Sequence, residues 1–273
     1  MENFVVSVII TTKNEEKNIE NCLESICSQT YPKDKIEIIV VDNNSADETF
    51  ALARKYTKNV FVKGPERSAQ RNFGVSKAHG DFVMYLDADM TLSPKVIEDC
   101  VFASIKNKKI SGIYIREIVG GKSYWSKVRR FERSFYDGTV VDCVRFIRKK
   151  DFEKIAGFDV SMTGPEDWDF DKKIRQLGET LVVRTPLYHN EEEFNIRKYL
   201  TKKAYYAKSF DIYIYKWGKN DPDVRKQFGF WYRYFGVFIE KGKWRKCLLN
   251  PHLFLGMFFL RFLVGISFII RRS

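Results

Sequence analysis

Cysteine and histidine are scarce in this chain, and glycine never gathers into a phosphate-binding loop. The five cysteines, Cys22, Cys27, Cys100, Cys143 and Cys247, are odd in number, lie far apart and form no C-x-x-C pair. That argues against a disulfide framework and against a zinc site, and leaves them as small buried hydrophobes in a reducing compartment. Neither G-x-G-x-x-G nor G-x-x-x-x-G-K-[ST] follows any strand-like run. A dinucleotide-binding enzyme and a P-loop NTPase are therefore disfavoured. A phosphorylated ligand would need a metal and arginine to neutralise its charge in place of a backbone cradle. The N-terminus enters strand-like sequence at once, with no basic leader ahead of an apolar core, so no secretory signal is expected.

Acidic residues are scarce at one end only. Residues 1–193 hold 30 Lys and Arg against 31 Asp and Glu, whereas residues 194–273 hold 17 against 4. The net charge of +12 over 273 residues thus comes wholly from the C-terminal segment. A chain so divided suggests an acidic partner surface, either anionic lipid or nucleic acid. Its length permits one large domain, or one domain with an appendage, around a sizeable core. The change in composition places the division between 1–193 and 194–273.

Along residues 1–193 strand and helix patterns alternate at short intervals. Residues 4–12 are β-branched and apolar and read as a buried parallel strand, after which Asn14 is placed to cap a helix carrying Ile19, Leu23 and Ile26 on one face. Residues 36–41 form a second such run, ending at Asp42. Ser45 and Glu48 fit a capping box that opens a helix to about residue 56. A short strand at 60–62 and a helix over 68–78, closed by Gly80, come next. Ser93-Pro94 is an N-cap followed by Pro at the first helical position. A parallel α/β sheet is the economical architecture. Further on, strands are expected at 111–119, 139–148 and 181–183, with a basic aromatic helix over 124–131 and the acidic cluster Glu166-Asp167-Trp168-Asp169 at a helix start.

Between these elements, Asp81-Phe-Val-Met-Tyr-Leu-Asp-Ala-Asp89 is an apolar run of strand length that ends at two carboxylates one residue apart. In an open α/β sheet, ligands collect beyond the carboxyl ends of the strands, which is where Asp87 and Asp89 would stand. Their oxygens suit a hard divalent cation, Mg²⁺ or Mn²⁺, that could hold a diphosphate.

With these pieces placed, residues 4–190 resemble a family 2 glycosyltransferase of the GT-A fold. The likeness rests on motifs in order: SVIITTKNE (7–15), IIVVDNNSADET (38–49), SAQRNFGVSKAHGDFVMYLDAD (68–89), FIRKKDFEKIAGFD (146–159) and GPEDWDF (164–170). The resemblance implies that Thr11, Asn14 and Glu15 surround the ribose and base, that Asp42 accepts a hydrogen bond from the base, and that Arg71 lies near the diphosphate. Asp87 and Asp89 become the family's D-x-D motif, with Asp89 the direct metal ligand and Asp87 nearer the ribose or a metal-bound water. His189 stands where some relatives present a histidine to the metal, and could equally be a hydrogen-bonded loop histidine. Asp167 matches the general base of inverting members, with Glu166 beside it. Trp168 could wall the acceptor sugar or pack in the core. The expected reaction is transfer of a sugar from a nucleotide donor, by family default a UDP-sugar, to a lipid-linked saccharide acceptor, assisted by Mn²⁺ or Mg²⁺. Two alternatives stand beside it, a synthase that glycosylates polyprenyl phosphate directly and, from another class, a nucleotidyltransferase. The latter would want a Gly-rich, basic loop after the first strand, where Thr11-Thr12-Lys13-Asn14-Glu15 offers none.

From Arg197 onward, Lys and Arg alternate with aromatics, a composition suited to helices lying in a membrane interface. Residues 253–270 are apolar except for Arg261, and basic runs flank them on both sides. That favours an interfacial helix over a span, with a helix packed on the catalytic domain as the third reading. Nucleic acid would explain the charge but not Phe258-Phe259-Leu260, whereas lipid explains both. The expected placement is peripheral, on the cytoplasmic face of the cell membrane.

Overall fold

The computed structural model describes residues 4–272, which form two compact units. The first takes the chain up to Glu117, Cys143–Val160 and Glu166–Asn190; the second takes Ile118–Asp142, Ser161–Pro165 and the chain from Glu191 onward. The second unit is thus more than the basic C-terminal segment. It also recruits the helix-bearing stretch after residue 117.

Eight strands, β1 (Val6–Thr12), β2 (Ile36–Asp42), β3 (Val60–Val62), β4 (Phe82–Asp87), β5 (Met90–Leu92), β6 (Ile110–Val119), β7 (Phe146–Arg148) and β8 (Glu179–His189), form one sheet in the order β3-β2-β1-β4-β7-β6-β8-β5. The helices in chain order are α1 (Ile19–Cys27), α2 (Thr49–Arg54), α3 (Arg67–Lys77), α4 (Val96–Lys106), α5 (Tyr124–Arg133), α6 (Lys149–Lys154) and α7 (Glu166–Arg175). They continue as α8 (Ile196–Tyr206), α9 (Phe210–Trp217), α10 (Pro222–Phe228), α11 (Val237–Ile239), α12 (Trp244–Leu249) and α13 (Pro251–Arg272), with a π-helical turn over Tyr232–Gly236 before α11.

All seven residues of β1 are buried, as a strand covered on both faces requires. Alternation along it divides the core in two. Val6, Val8 and Ile10 join Leu23 and Ile26 of α1 and Val96 and Cys100 of α4, whereas Ile9 joins Val75 of α3 and Phe170 and Ile174 of α7. Helix α3 lies close on the sheet because Gly74 has no side chain; a Cβ there would sit 2.3 Å from Ile9 Cγ2.

The parallel arrangement expected for the α/β sheet holds over β3-β2-β1-β4, whereas β4 with β7, β7 with β6 and β8 with β5 pair antiparallel. The strand expected over 139–148 shrinks to β7, because Asp142 is drawn into a turn: it accepts from Arg133 at 2.6 Å and from the Gly138 amide at 2.9 Å. Neither expected cap near the first loop forms. Asn14 has φ 54° and its side chain accepts from the Ala46 amide, while Ser45 donates to Asp42, so the two loops after β1 and β2 brace each other instead of capping helices. Helix α4 begins at Val96, two residues beyond Pro94. All five cysteines are free, three of them buried.

In the second unit, Val128, Phe131 and Phe135 pack with Val237, Phe238, Met257 and Leu260. Arg261, which interrupts the apolar run by sequence, is buried here. Its Nε donates to Glu132 Oε1 at 3.1 Å, Nη2 bonds the Tyr136 hydroxyl, and the guanidinium lies 4.6 Å from the Phe238 ring centre. Helix α13 therefore packs against α5. No helix among the described residues is long and apolar enough to cross a membrane.

Candidate active site

Because β1, β2 and β4 run parallel, Thr11, Asp42 and Asp87 reach the same edge of the sheet, with Thr11 paired in register with Asp87 and Thr12 with Asp42. Thr11 Oγ1 donates to Asp87 Oδ1 at 3.1 Å. Helix α3 presents Arg67 and Arg71 one turn apart, so both guanidinium groups arrive on one face. Helix α7 opens with Glu166 and Asp167, as its N-terminal dipole favours.

Arg71 joins the three elements. It is 1% exposed, donates from Nη1 to Asp167 Oδ1 at 2.7 Å and from Nη2 to Asp87 Oδ1 at 3.1 Å, and lies over the rings of Tyr85 and Phe158 at 4.6 and 5.0 Å. Arg71 therefore does not lie on a solvated helix face. Burial works against its charge, but Asp167 and then Asp87 hold it well above the ordinary arginine value. Arg67 runs parallel to it, 3.0 Å from Glu166 and 3.6 Å from Asp87 Oδ2. Burial alone would raise the Asp87 carboxyl; Arg71 and then Arg67 outweigh it and keep Asp87 ionised far below the usual carboxylate range. Glu166 is pushed the other way, by burial first and by Asp167 second, and its Oε2 is buried without a hydrogen-bond partner. Asp167 keeps 30% of its side chain open to solvent, which a proton acceptor needs.

The pairing of β5 with β8 sets Met90 opposite His189 and brings the preceding Asp89 to the same place. His189 Nε2 lies 3.1 Å from Asp89 Oδ2, and its Nδ1 lies 3.0 Å from Glu117 Oε1. Arg145 holds Glu117 at 3.2 Å. Burial would lower the His189 value, but Asp89 and then Glu117 raise it to about 10, so the ring is a cation here. Among the described residues, no three His, Cys, Asp or Glu side chains gather as metal ligands do. Asp87 is engaged by arginines, and His189 by the two carboxylates of Asp89 and Glu117. Asp89 Oδ1, however, is a buried oxygen with no hydrogen-bond partner. An orphaned hard acceptor of this kind fits a divalent cation.

The residues expected around ribose and base are close together and partly committed to each other. Asp42 is buried and accepts from the Ser45 amide at 2.8 Å and the Ser45 hydroxyl at 2.5 Å, closing the turn after β2. The Asn14 amide donates to Ser45 Oγ at 2.8 Å, and the Glu15 amide to Thr49 Oγ1 at 2.7 Å. Trp168 is half-buried on α7. Sequence reasoning did not single out Arg67, Glu117 or Arg145. Arg67 had a signal, its spacing of four from Arg71 on one helix; Glu117 had none, since its partner His189 lies 72 residues away.

The model of Glycosyl transferase family 2 matches residues 7–157, more than half of the chain, ending ten residues before Asp167. Glycosyltransferase AglE of Haloferax volcanii is 36% identical over 123 residues, which are 42% of this chain and 38% of that protein. A Methanococcus voltae protein, dolichyl N-acetyl-alpha-D-glucosaminyl phosphate 3-beta-D-2,3-diacetamido-2,3-dideoxy-beta-D-glucuronosyltransferase, is 25% identical over 248 residues, covering 78% of this chain and 75% of its own. The chain spans well under half the length of the first curated relatives it matches. Among solved structures, mannosyltransferase PcManGT from Pyrobaculum calidifontis in complex with GDP-Man and Mn²⁺ covers 100% of this chain and 81% of its own at a TM-score of 0.60 and 17% identity. The structure of S. aureus TarS 1-349 in complex with UDP-GlcNAc covers 93% and 79% at 0.57 and 18%. Both likenesses give the fold, GT-A. The chain belongs to glycosyl transferase family 2.

Proposed function

We propose that this protein is an inverting glycosyltransferase that moves a sugar from a nucleotide-diphosphate donor, in our reading a UDP-sugar, to a hydroxyl of a lipid-linked saccharide. The observation that carries this reading is Arg71 holding Asp87, at the end of β4, and Asp167, at the start of α7, with its two guanidinium nitrogens. One cation thereby sets the spacing between the donor edge of the sheet and a carboxylate open to solvent. Two structural neighbours, one in complex with UDP-GlcNAc and one with GDP-Man and Mn²⁺, support a nucleotide-sugar donor. The name of the Methanococcus voltae relative, which acts on a dolichyl-linked sugar, supports a lipid-linked saccharide over bare polyprenyl phosphate as acceptor.

In this reading Thr11, Asn14, Glu15 and Asp42 hold the nucleoside, and Trp168 borders the acceptor. Asp167 takes the proton of the acceptor hydroxyl as its oxygen attacks the anomeric carbon from the face opposite the nucleotide. The sugar–phosphate bond breaks as the new glycosidic bond forms, and its electron pair leaves on the diphosphate. Arg71 keeps Asp167 Oδ1 occupied, which leaves Oδ2 for the proton. The guanidinium groups of Arg71 and Arg67 are fixed positive charges beside the edge where negative charge grows, and being already in place they need no reorganisation. A divalent cation, when bound, supplies further neutralisation of that diphosphate; Asp89 and Asp87 would hold it, with His189 joining only after losing its proton.

Thermal-shift measurements with nucleotide sugars, with and without Mn²⁺, test the donor. Stabilisation by at least one of them is expected, and Asp89→Ala should lose the Mn²⁺-dependent part. Asp167→Asn should keep donor binding while transfer falls by about 100-fold or more, the scale of a lost general base. Equal turnover by Asp167→Asn and the wild type would remove Asp167 from its role.

A further inference from the structure

Helix α13 is apolar on two opposite faces. Met257 and Leu260 point into the second unit's core, and Arg261, the one Lys, Arg, Asp or Glu between Pro251 and Ile266, is turned inward onto Glu132. On the other side Leu255, Phe259 and Phe262, spaced by four and three residues, form an exposed stripe. The aromatic surface continues beyond the helix. Phe235 lies 6.2 Å from Phe258 and 5.6 Å from Trp231, and Trp231, Leu248 and Leu249 are 76%, 71% and 80% exposed. Scattered apolar residues on a surface need no explanation, but a charge-free helical stripe joined to a Trp and Phe cluster needs a partner.

We propose that this surface seats the second unit on an anionic bilayer, with α13 lying in the plane of the interface. Three observations choose that occupant. Phe and Trp side chains of this kind suit the boundary between headgroup and acyl chain. The excess of 17 Lys and Arg over 4 Asp and Glu in residues 194–273 matches negative headgroups and opposes a second copy bearing the same charge. The inward pairing of Arg261 with Glu132 removes the one charge that would otherwise be dragged into lipid. The structure thus reassigns the arginine that interrupts the apolar run: it anchors α13 to α5, and the lipid-facing stripe is left uncharged.

The test uses the full chain without substrate, so its result does not depend on the transferase reading. In co-sedimentation, vesicles of phosphatidylcholine with phosphatidylglycerol should capture the protein at low salt, pure phosphatidylcholine much less, and added NaCl should release it. The triple variant Leu255→Ser, Phe259→Ser, Phe262→Ser should bind these vesicles more weakly, on the order of tenfold per side chain lost, with an unchanged circular dichroism spectrum. Brominated lipids should quench wild-type tryptophan fluorescence, and Trp231→Phe should reduce that quenching; this readout stands even if the triple variant does not fold. Alkaline carbonate should extract the protein from membranes. Equal binding to neutral and anionic vesicles, full binding by a folded triple variant, resistance to carbonate, or dimerisation through the stripe without lipid binding would each overturn the proposal.

Discussion

Arg71 is the side chain on which most of the site's charge balance turns. Removing it leaves Asp87 with the more distant Arg67 and deprives Asp167 of the guanidinium 2.7 Å away. Arg71→Met should therefore cost about 3–5 kcal/mol in urea unfolding, the scale for one partner of a buried ion pair. Arg67→Met should cost clearly less, because the Arg67 side chain is 28% exposed against 1% for Arg71. Comparison of the two urea midpoints checks the ranking, and equal losses would contradict it. Strand termination pointed to Asp87 and Asp89, and the family resemblance to Arg71 and Asp167. The Arg145–Glu117–His189–Asp89 chain was not legible, because its members come from four separate stretches that only the antiparallel pairings beyond β4 bring together.

At the scale of elements, α5 and α8 of the second unit enclose more positive charge than their acids balance. Burial first, then Arg129, with Arg233 adding and Glu132 opposing, pulls the Lys203 value down from 10.5 to about 7. Between pH 7 and about pH 10 the unfolded chain keeps a proton on this lysine that the folded protein has given up. The contribution of Lys203 to stability therefore rises with pH across that window, opposed by that of His189, whose raised value makes its contribution fall between pH 6.5 and about 10; below pH 7 the full penalty of the confined lysine charge remains. Lys203→Met should raise the melting temperature at pH 7, and its lead over the wild type should shrink between pH 7 and 10; paired melting curves over that range check it. The helix pattern of α1 was readable from its periodicity, that of α3 from the Gly80 that closes it, and the start of α7 from its acidic cluster. The caps were not: Asn14 and Ser45 carry the right side chains, but their hydrogen bonds go to each other's loops.

For the molecule as a whole, each unit carries a buried carboxylate held ionised by arginine, Asp87 in the first and Glu132 in the second. Burial opposes both charges; Arg71 and Arg67 outweigh it at Asp87, as Arg129 and Arg261 do at Glu132. In the unfolded chain these groups take up protons near pH 4, and in the folded one only at lower pH. Acid therefore favours the unfolded state. The urea midpoint should fall steadily below about pH 5 as these contributions are lost; a midpoint unchanged at pH 3 would contradict the pairing.

By itself the sequence determined the α/β class, the edge of the sheet where the acids collect and the uneven charge of the two ends, since these follow from local periodicity, strand termination and composition. Tertiary structure alone decided which acid meets which arginine, that Arg261 faces Glu132 and not lipid, and that the stretch after residue 117 joins the C-terminal helices. The physical reason is separation along the chain: Arg71 and Asp167 are 96 residues apart and Glu132 and Arg261 are 129. No local pattern encodes a contact whose two halves are brought together only by packing.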